Sequence, residues 1–166
     1  DKLQSKNIMQ EIKQSSVELM EKMDDIVWSI NPNNDSIEKL MLRIKRFASK
    51  LFEAKEVDYT IDIDPSIHRV KLNMETRQHI FLIMKEAINN LVKYSDCTRA
   101  SIRVYYEHRY LHINISDNGK GFNEQQIEAG NRLISMKKRA EAIKGHIKIY
   151  SEAQKGTSIS LQTKIK

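Results

Sequence analysis

Over the first thirty positions the apolar residues recur at alternating steps of three and four: Met9, Ile12, Leu19, Met23, Ile26 and Ile30, with Ser16 as the one small polar member. That repeat predicts a long helix carrying a coiled-coil seam. A helix packed on its own domain would also show a stripe. This one is long for that role, which favours a two-helix or four-helix bundle formed with other segments. "NPNND" then breaks the helix, because Pro32 disfavours helix at Asn31, and Asn34 or Asp35 is the candidate cap of the next one. Ile37, Leu40, Met41, Ile44, Phe47, Ala48 and Leu51 form the apolar stripe of that second helix.

Beyond it the period switches between two and 3.6. Val57 to Ile63 alternates like a strand that ends at Pro65, and Met74 to Lys93 reads as a long helix with Asn73 as cap. "RASIRVYYE" and "RYLHINISD" predict two strands joined by a tight turn near His108 and Arg109. A helix around Leu133 to Ile143 follows, and "HIKIYSE" and "TSISLQTKI" complete the chain as a last pair of strands. The expected class is α+β: a two-layer sandwich with a mainly antiparallel sheet, helices on one face, and a long N-terminal helix ahead of it.

Composition narrows this picture only a little. A chain of 166 residues with 40% hydrophobic and 30% charged residues is large enough to bury a core and ordinary for a soluble domain. The single cysteine, Cys97, cannot form an internal disulfide, which fits a reducing compartment. No apolar run approaches the roughly 18 residues of a membrane helix, and the first ten residues are not a signal peptide. A net charge of +6 suits an anionic partner without choosing among nucleotide, nucleic acid and membrane surface.

Two stretches call for chemistry. In "KEAINNLVKYS", Glu86, Asn89, Asn90 and Lys93 stand at i, i+3, i+4 and i+7, one polar stripe opposite a broad apolar side. A solvated helix face would look the same. Adjacent asparagines argue against that, since Asn is a weak helix former whose amide competes for backbone hydrogen bonds. A carboxylate, an amide oxygen and an ammonium on one stripe can supply a metal ligand, a water-orienting base and a phosphate contact. The second stretch is "ISDNGKGF". Leu111, Ile113, Ile115 and Asp117 share one strand face, so Asp117 continues an apolar row with a carboxylate that needs a hydrogen-bond partner. Gly119 and Gly121 can take positive φ and bring backbone close to a ligand, although a hairpin turn would use the same residues.

In order, "E-A-x-N-N-x-x-K-Y-S", "D-N-G-K-G-F", "G-N-R-L-x-x-M-x-x-R-A" and "K-G-T" resemble the ATP-binding domain of sensor histidine kinases, members of the Bergerat-fold ATPases alongside DNA gyrase and the mismatch-repair ATPases. The resemblance runs from about Ile61 to Ile165, and "MDDIVWSINPNNDSIEKL" is similar to the junction between dimerisation and catalytic domains in kinases of the nitrate-sensor type. It implies that residues 1–34 hold the second helix of a dimerisation domain and that residues 35–166 hold the ATP-binding catalytic domain.

The resemblance also implies roles, residue by residue. Asp117 would accept the exocyclic amino group of adenine, with Thr157, after Gly156, completing that recognition. Asn90 would ligate Mg²⁺ on the phosphates, and Glu86 would hold metal-bound water or assist proton removal. Lys93 and Tyr94, next to Asn89 and Asn90, would lie near phosphates and ribose. Gly119 and Gly121 would form the first glycine box, with Phe122 anchoring the lid, and Gly130 would open the second box, with Leu133 and Met136 lining the adenine pocket. The implied reaction is transfer of the ATP γ-phosphoryl to a histidine on a helix outside this chain, and then to an aspartate of a response-regulator receiver domain. The implied setting is cytoplasmic, in a homodimer paired through the N-terminal helix, with any membrane anchorage in other segments.

Departures from the family pattern are few: Arg132 stands where the second glycine box commonly has glycine, and Lys144 and Gln154 also occupy common glycine positions. None of His68, His79, His108, His112 and His146 lies in the sequence context of a phosphoacceptor. Two other classes stay open on sequence alone. One is a degenerate nucleotide-binding module used for docking or dimerisation, which Arg132 favours. The other is a nucleic-acid-binding sheet displaying Tyr105, Tyr106 and Tyr110. Tyr106 counts against the second, since it shares a strand face with Ile102 and Val104 and so belongs to the core.

Overall fold

The computed structural model describes residues 2–122 and 131–165. Four helices, α1 (Lys2–Ile30), α2 (Ile37–Ala54), α3 (Met74–Tyr94) and α4 (Asn131–Ala142), accompany five strands, β1 (Asp58–Ile63), β2 (Arg99–Glu107), β3 (Tyr110–Asp117), β4 (His146–Glu152) and β5 (Gly156–Lys164). The strands form one sheet in the order β1-β2-β3-β5-β4, with β1 and β2 parallel and the other pairs antiparallel. This is the expected α+β sandwich.

The alternation along each strand builds continuous apolar rows across the sheet. Ile61, Ile102, Ile115, Ile159 and Ile149 stand opposite one another from edge to edge, and Ile63, Val104, Ile113, Leu161 and Ile147 form the next row. The stripes of α2 (Ile37, Leu40, Met41, Ile44, Ala48) and α3 (Ile80, Met84, Ala87, Ile88) are buried in the same core. Each of the larger side chains among them, the isoleucines, leucine and methionines, contributes about 1.5–3 kcal/mol by leaving water. The β2–β3 hairpin turns at His108 and Arg109, both with positive φ (50° and 70°), as a two-residue hairpin requires.

Helix ends follow local chemistry in one place and long-range contacts in another. Asn73 caps α3 as expected, its Oδ1 accepting from the Thr76 N–H at 2.7 Å. Neither Asn34 nor Asp35 caps α2, whose N-cap is Ser36. Asn34 instead donates through Nδ2 to the Trp28 carbonyl at 2.9 Å, and Asp35 pairs with Arg77 of α3.

The last two turns of α1 are clamped to the domain. Asp25 is buried and receives Lys85 of α3 and Arg43 of α2, the latter at 3.0 Å. Trp28 packs on Phe81, ring centroids 5.6 Å apart, with the Arg43 guanidinium over both rings. Arg77, fully buried, donates from Nη2 to the carbonyls of Ser29 (2.5 Å) and Asn31 (3.2 Å). It thereby places a cation at the carbonyl-rich end of α1. The seam residues Met9, Ile12, Leu19, Met23, Ile26 and Ile30 remain exposed on the other side of the helix.

Candidate functional site

At one end of the sheet the apolar rows give way to polar side chains in a single step. Past the Ile115–Ile159–Ile149 row come Asp117, opposite Ala100, and the pair Thr157 and Ser151. Between them and the C-terminal half of α3 lies a cavity of about 420 Å³. Its polar lining includes Asn90, Tyr94, Asp117 and Thr157, and Ala87, Leu91, Ile115, Ile149 and Ile159 make its apolar wall. A cavity of that size takes a drug-sized ligand or a nucleoside.

Asp117 is held rigidly. One carboxylate oxygen accepts the Gly119 N–H at 2.8 Å, and the Thr157 N–H also points to the carboxylate. Burial pushes its carboxyl pKa above the ordinary range, while these two N–H groups pull the other way.

The loop after it is bolted at both sides. The Lys120 N–H donates to the Ser95 carbonyl at 2.7 Å, and the Lys120 carbonyl accepts from Gln154 at 2.7 Å. The Lys120 ammonium pairs with Asp96 at 2.7 Å. The Phe122 N–H donates to Ser151 Oγ at 2.9 Å, itself 2.9 Å from Thr157 Oγ1. "DNGKGF" is not a hairpin turn, because β3 pairs with β2 and β5 and not with β4, the next strand in the chain.

The glycines fit this close packing. Gly121 (φ 57°) and Gly156 (φ 86°) occupy left-handed conformations, and a Cβ would overlap the Glu152 carbonyl in the first case and the Asp117 carbonyl in the second. A Cβ on Gly119 would overlap the Ser95 carbonyl. The close approach is therefore of backbone to backbone, which fixes the floor of the cavity.

The family model of histidine kinase-, DNA gyrase B- and HSP90-like ATPases matches residues 75–166, from the start of α3 to the end of the chain. The chain belongs to this ATPase family. Its matched region is an ATP-binding domain. The chain is similar to the sensor histidine kinase LiaS of Bacillus subtilis (29% identity over 123 residues, 74% of this chain and 34% of LiaS). It is also similar to the sensor protein VraS of Staphylococcus haemolyticus (33% over 97 residues, 58% of this chain and 28% of VraS). It thus spans about a third of the length of these relatives. The histidine kinase AdeS of Acinetobacter baumannii shares the fold, with a TM-score of 0.67 at 13% identity over 92% of this chain and 81% of that one.

The cavity is an apolar slot with the half-buried Asp117 carboxylate at its end. Of the residues singled out in the sequence, Asn90, Tyr94, Asp117, Gly121, Phe122, Leu133 and Thr157 line it. Gly119 and Gly156 are buried in the backbone contacts beneath. Glu86 and Asn89 are half-buried on α3, Lys93 is exposed, and none of the three is at the cavity wall. Met136 is buried in the core. Gly130 lies outside the described residues, as does the side chain of Arg132, which falls in the first turn of α4. Among the described residues no three His, Cys, Asp or Glu side chains gather as a metal site. A magnesium ion here would draw on few protein ligands and on phosphate oxygens, as that ion commonly does.

Sequence reasoning missed Ser95 and Ser151. Ser95 closes α3 through its hydroxyl on the Leu91 carbonyl at 2.7 Å, and its own carbonyl anchors the glycine loop. Ser151 becomes visible only through the β4–β5 register that sets it opposite Thr157. Gly156→Ala is expected to cost at least the roughly 1–3 kcal/mol of a strained left-handed residue, with the overlap on the Asp117 carbonyl added to it. Each kcal/mol lowers the melting midpoint by roughly 2–4 °C in a domain of this size, so calorimetric melting of the variant should show the shift, together with weaker nucleotide binding.

Proposed function

We propose that this chain is the ATP-binding catalytic domain (residues 35–166) of a two-component sensor histidine kinase, preceded by part of its dimerisation domain (residues 1–34). The observation that carries the proposal is the rigid, half-buried Asp117 carboxylate at the end of an apolar cavity: it can accept the amino group of adenine and would meet the carbonyl of guanine with repulsion. The γ-phosphoryl is transferred to an imidazole nitrogen on a helix outside these residues, the bond to the ADP oxygen breaking as the bond to nitrogen forms. A receiver-domain aspartate then takes the group.

Neutral imidazole is already nucleophilic near pH 7, so the domain has mainly to position and neutralise charge. Asn90 and Glu86, one turn apart on α3, would hold Mg²⁺, which when bound spreads the developing phosphate charge. Lys93 would add a mobile cation, Asn89 and Tyr94 would flank the phosphate and ribose end, and Met136 would support Leu133 at the adenine. Gly130 would open the second glycine box. Isothermal calorimetry tests the assignment. ATP should bind more tightly with Mg²⁺ than without it, and Asn90→Ala should remove most of that difference. Absence of any nucleotide binding by the unsubstituted chain would leave a docking module.

The exposed seam of α1 supports a homodimer paired through this helix in the full-length protein, in a cytoplasmic part of a sensor. No helix among the described residues is long and apolar enough to cross a membrane, so anchorage would lie elsewhere. Leu19→Glu, at the middle of the seam, should weaken dimerisation of the full-length protein at least roughly ten-fold in sedimentation equilibrium, since two leucines leave the interface.

A further inference from the structure

A second cavity, of about 410 Å³, lies between the N-terminal half of α3 and α4, lined by His79, Ile134, Ser135, Lys138 and Arg139. Among the described residues it shares no lining residue with the first cavity. His79 and Asn90 stand on the same helix eleven residues apart, which is roughly 16 Å along its axis.

The lining combines the apolar Ile134 with His79, Ser135 and two cationic side chains, Lys138 and Arg139. Ser135, Lys138 and Arg139 fall at i, i+3 and i+4, one face of α4. Neither Lys138 nor Arg139 pairs with a carboxylate among the described residues. Opposite them, His79 Nδ1 is shielded from solvent and has no hydrogen-bond partner. Buried polar atoms are nearly always paired, so an orphan beside an opening marks a missing partner. Burial, and after it the Arg139 charge, press the His79 imidazole toward its neutral form, with Glu75 of α3 opposing them. A water molecule could pair with the ring nitrogen alone, whereas an oxyanion would engage the nitrogen and both partly exposed cations together.

We propose that this cavity binds a phosphate-type oxyanion at a site separate from the nucleotide pocket. Arg139 and Lys138 would supply charge-assisted donors, the Ser135 hydroxyl a third, and the Nδ1–H tautomer of His79 a fourth. The ligand is free phosphate or a phosphoryl group that does not occupy the first cavity, and competition with ATP tests that separation.

The test is a titration of the chain with inorganic phosphate at constant ionic strength, following the His79 imidazole by NMR, with the Lys138→Ala/Arg139→Ala variant and Arg139→Lys alongside. Both positions lie at least partly exposed on α4, and an unchanged melting midpoint would show that the variants fold. A saturable His79 shift is expected, with its pKa raised by bound phosphate. Affinity should fall roughly ten-fold or more in the double variant and by much less in Arg139→Lys. Binding should persist in the presence of both ATP and adenosine. The proposal is overturned by a response no larger than chloride produces, or by the same response in the double variant. Displacement of phosphate by ATP but not by adenosine also overturns it, since the cavity would then be the far end of the nucleotide site.

Discussion

Asp117→Ala should lower ATP affinity by roughly ten-fold to more than a hundred-fold, the weight of a charge-assisted hydrogen bond of about 1.5–3 kcal/mol. Calorimetric titration of ATP against both proteins measures it. Asp117→Asn should do as badly if its amide nitrogen faces the adenine amino group, because two donors then oppose each other. The pH dependence carries two opposite signs. Burial raises the Asp117 carboxyl pKa, so the protonated form favours the folded state. That stability is present below the ordinary aspartate pKa and is lost as pH rises through the raised one. With Asp117 as the proposed acceptor of adenine, nucleotide binding should need the carboxylate and weaken as pH falls through the same window. Asp117→Asn, neutral throughout, should melt higher than the parent at pH 7 while binding ATP far more weakly. Equal melting temperatures would mean that the carboxylate is already solvated in the empty site.

The second large effect is on stability. Arg77→Ala should destabilise the chain by about 2–4 kcal/mol, read as the shift of a urea transition. The ion pair with Asp35 contributes little of this, since Asp35 is 59% exposed and its charge is screened. Most of the loss comes from the carbonyls of Ser29 and Asn31, which lose a charged donor, and from the buried stem, whose removal leaves a void. Arg77→Lys should recover only a minor part, because a single ammonium cannot serve the divergent acceptors that a guanidinium fork reaches. Amide exchange should speed up most in the last turn of α1. ATP affinity should change by less than about ten-fold, which separates this role from that of Asp117.

Period and punctuation made most of the fold legible. Asn73 before an apolar run, glycine-poor alternation in β2 and β3, and a turn at His108 and Arg109 are local signals that tertiary contacts did not override. The start of α2 shows the opposite case. Asn34 and Asp35 are both good capping residues, yet one is engaged by the Trp28 carbonyl and the other by an arginine 42 residues away. Arg77 itself reads as one more exposed helix charge, because nothing near it in sequence reveals that the end of α1 arrives on top of it. Which strand pair is parallel was equally hidden, since alternation fixes faces and not partners. At the site, the inward-facing Asp117 was legible from period two alone. The anchoring serines and the backbone contacts under the glycines were not, because they depend on register between strands and on where α3 ends.

Helix α3 contributes both to the clamp on α1 and to the lining of the candidate nucleotide cavity. Lys85, which holds Asp25 of α1, is the chain neighbour of Glu86, one turn from Asn90. Two partners of one helix are thermodynamically linked when that helix has two seatings that each partner favours unequally. If bound nucleotide favours one seating of α3, it alters the free energy of holding the end of α1, and α1 must alter nucleotide affinity by the same factor. Measuring ATP affinity with Asp25 or Arg43 replaced would then report the size of that exchange between coil and pocket.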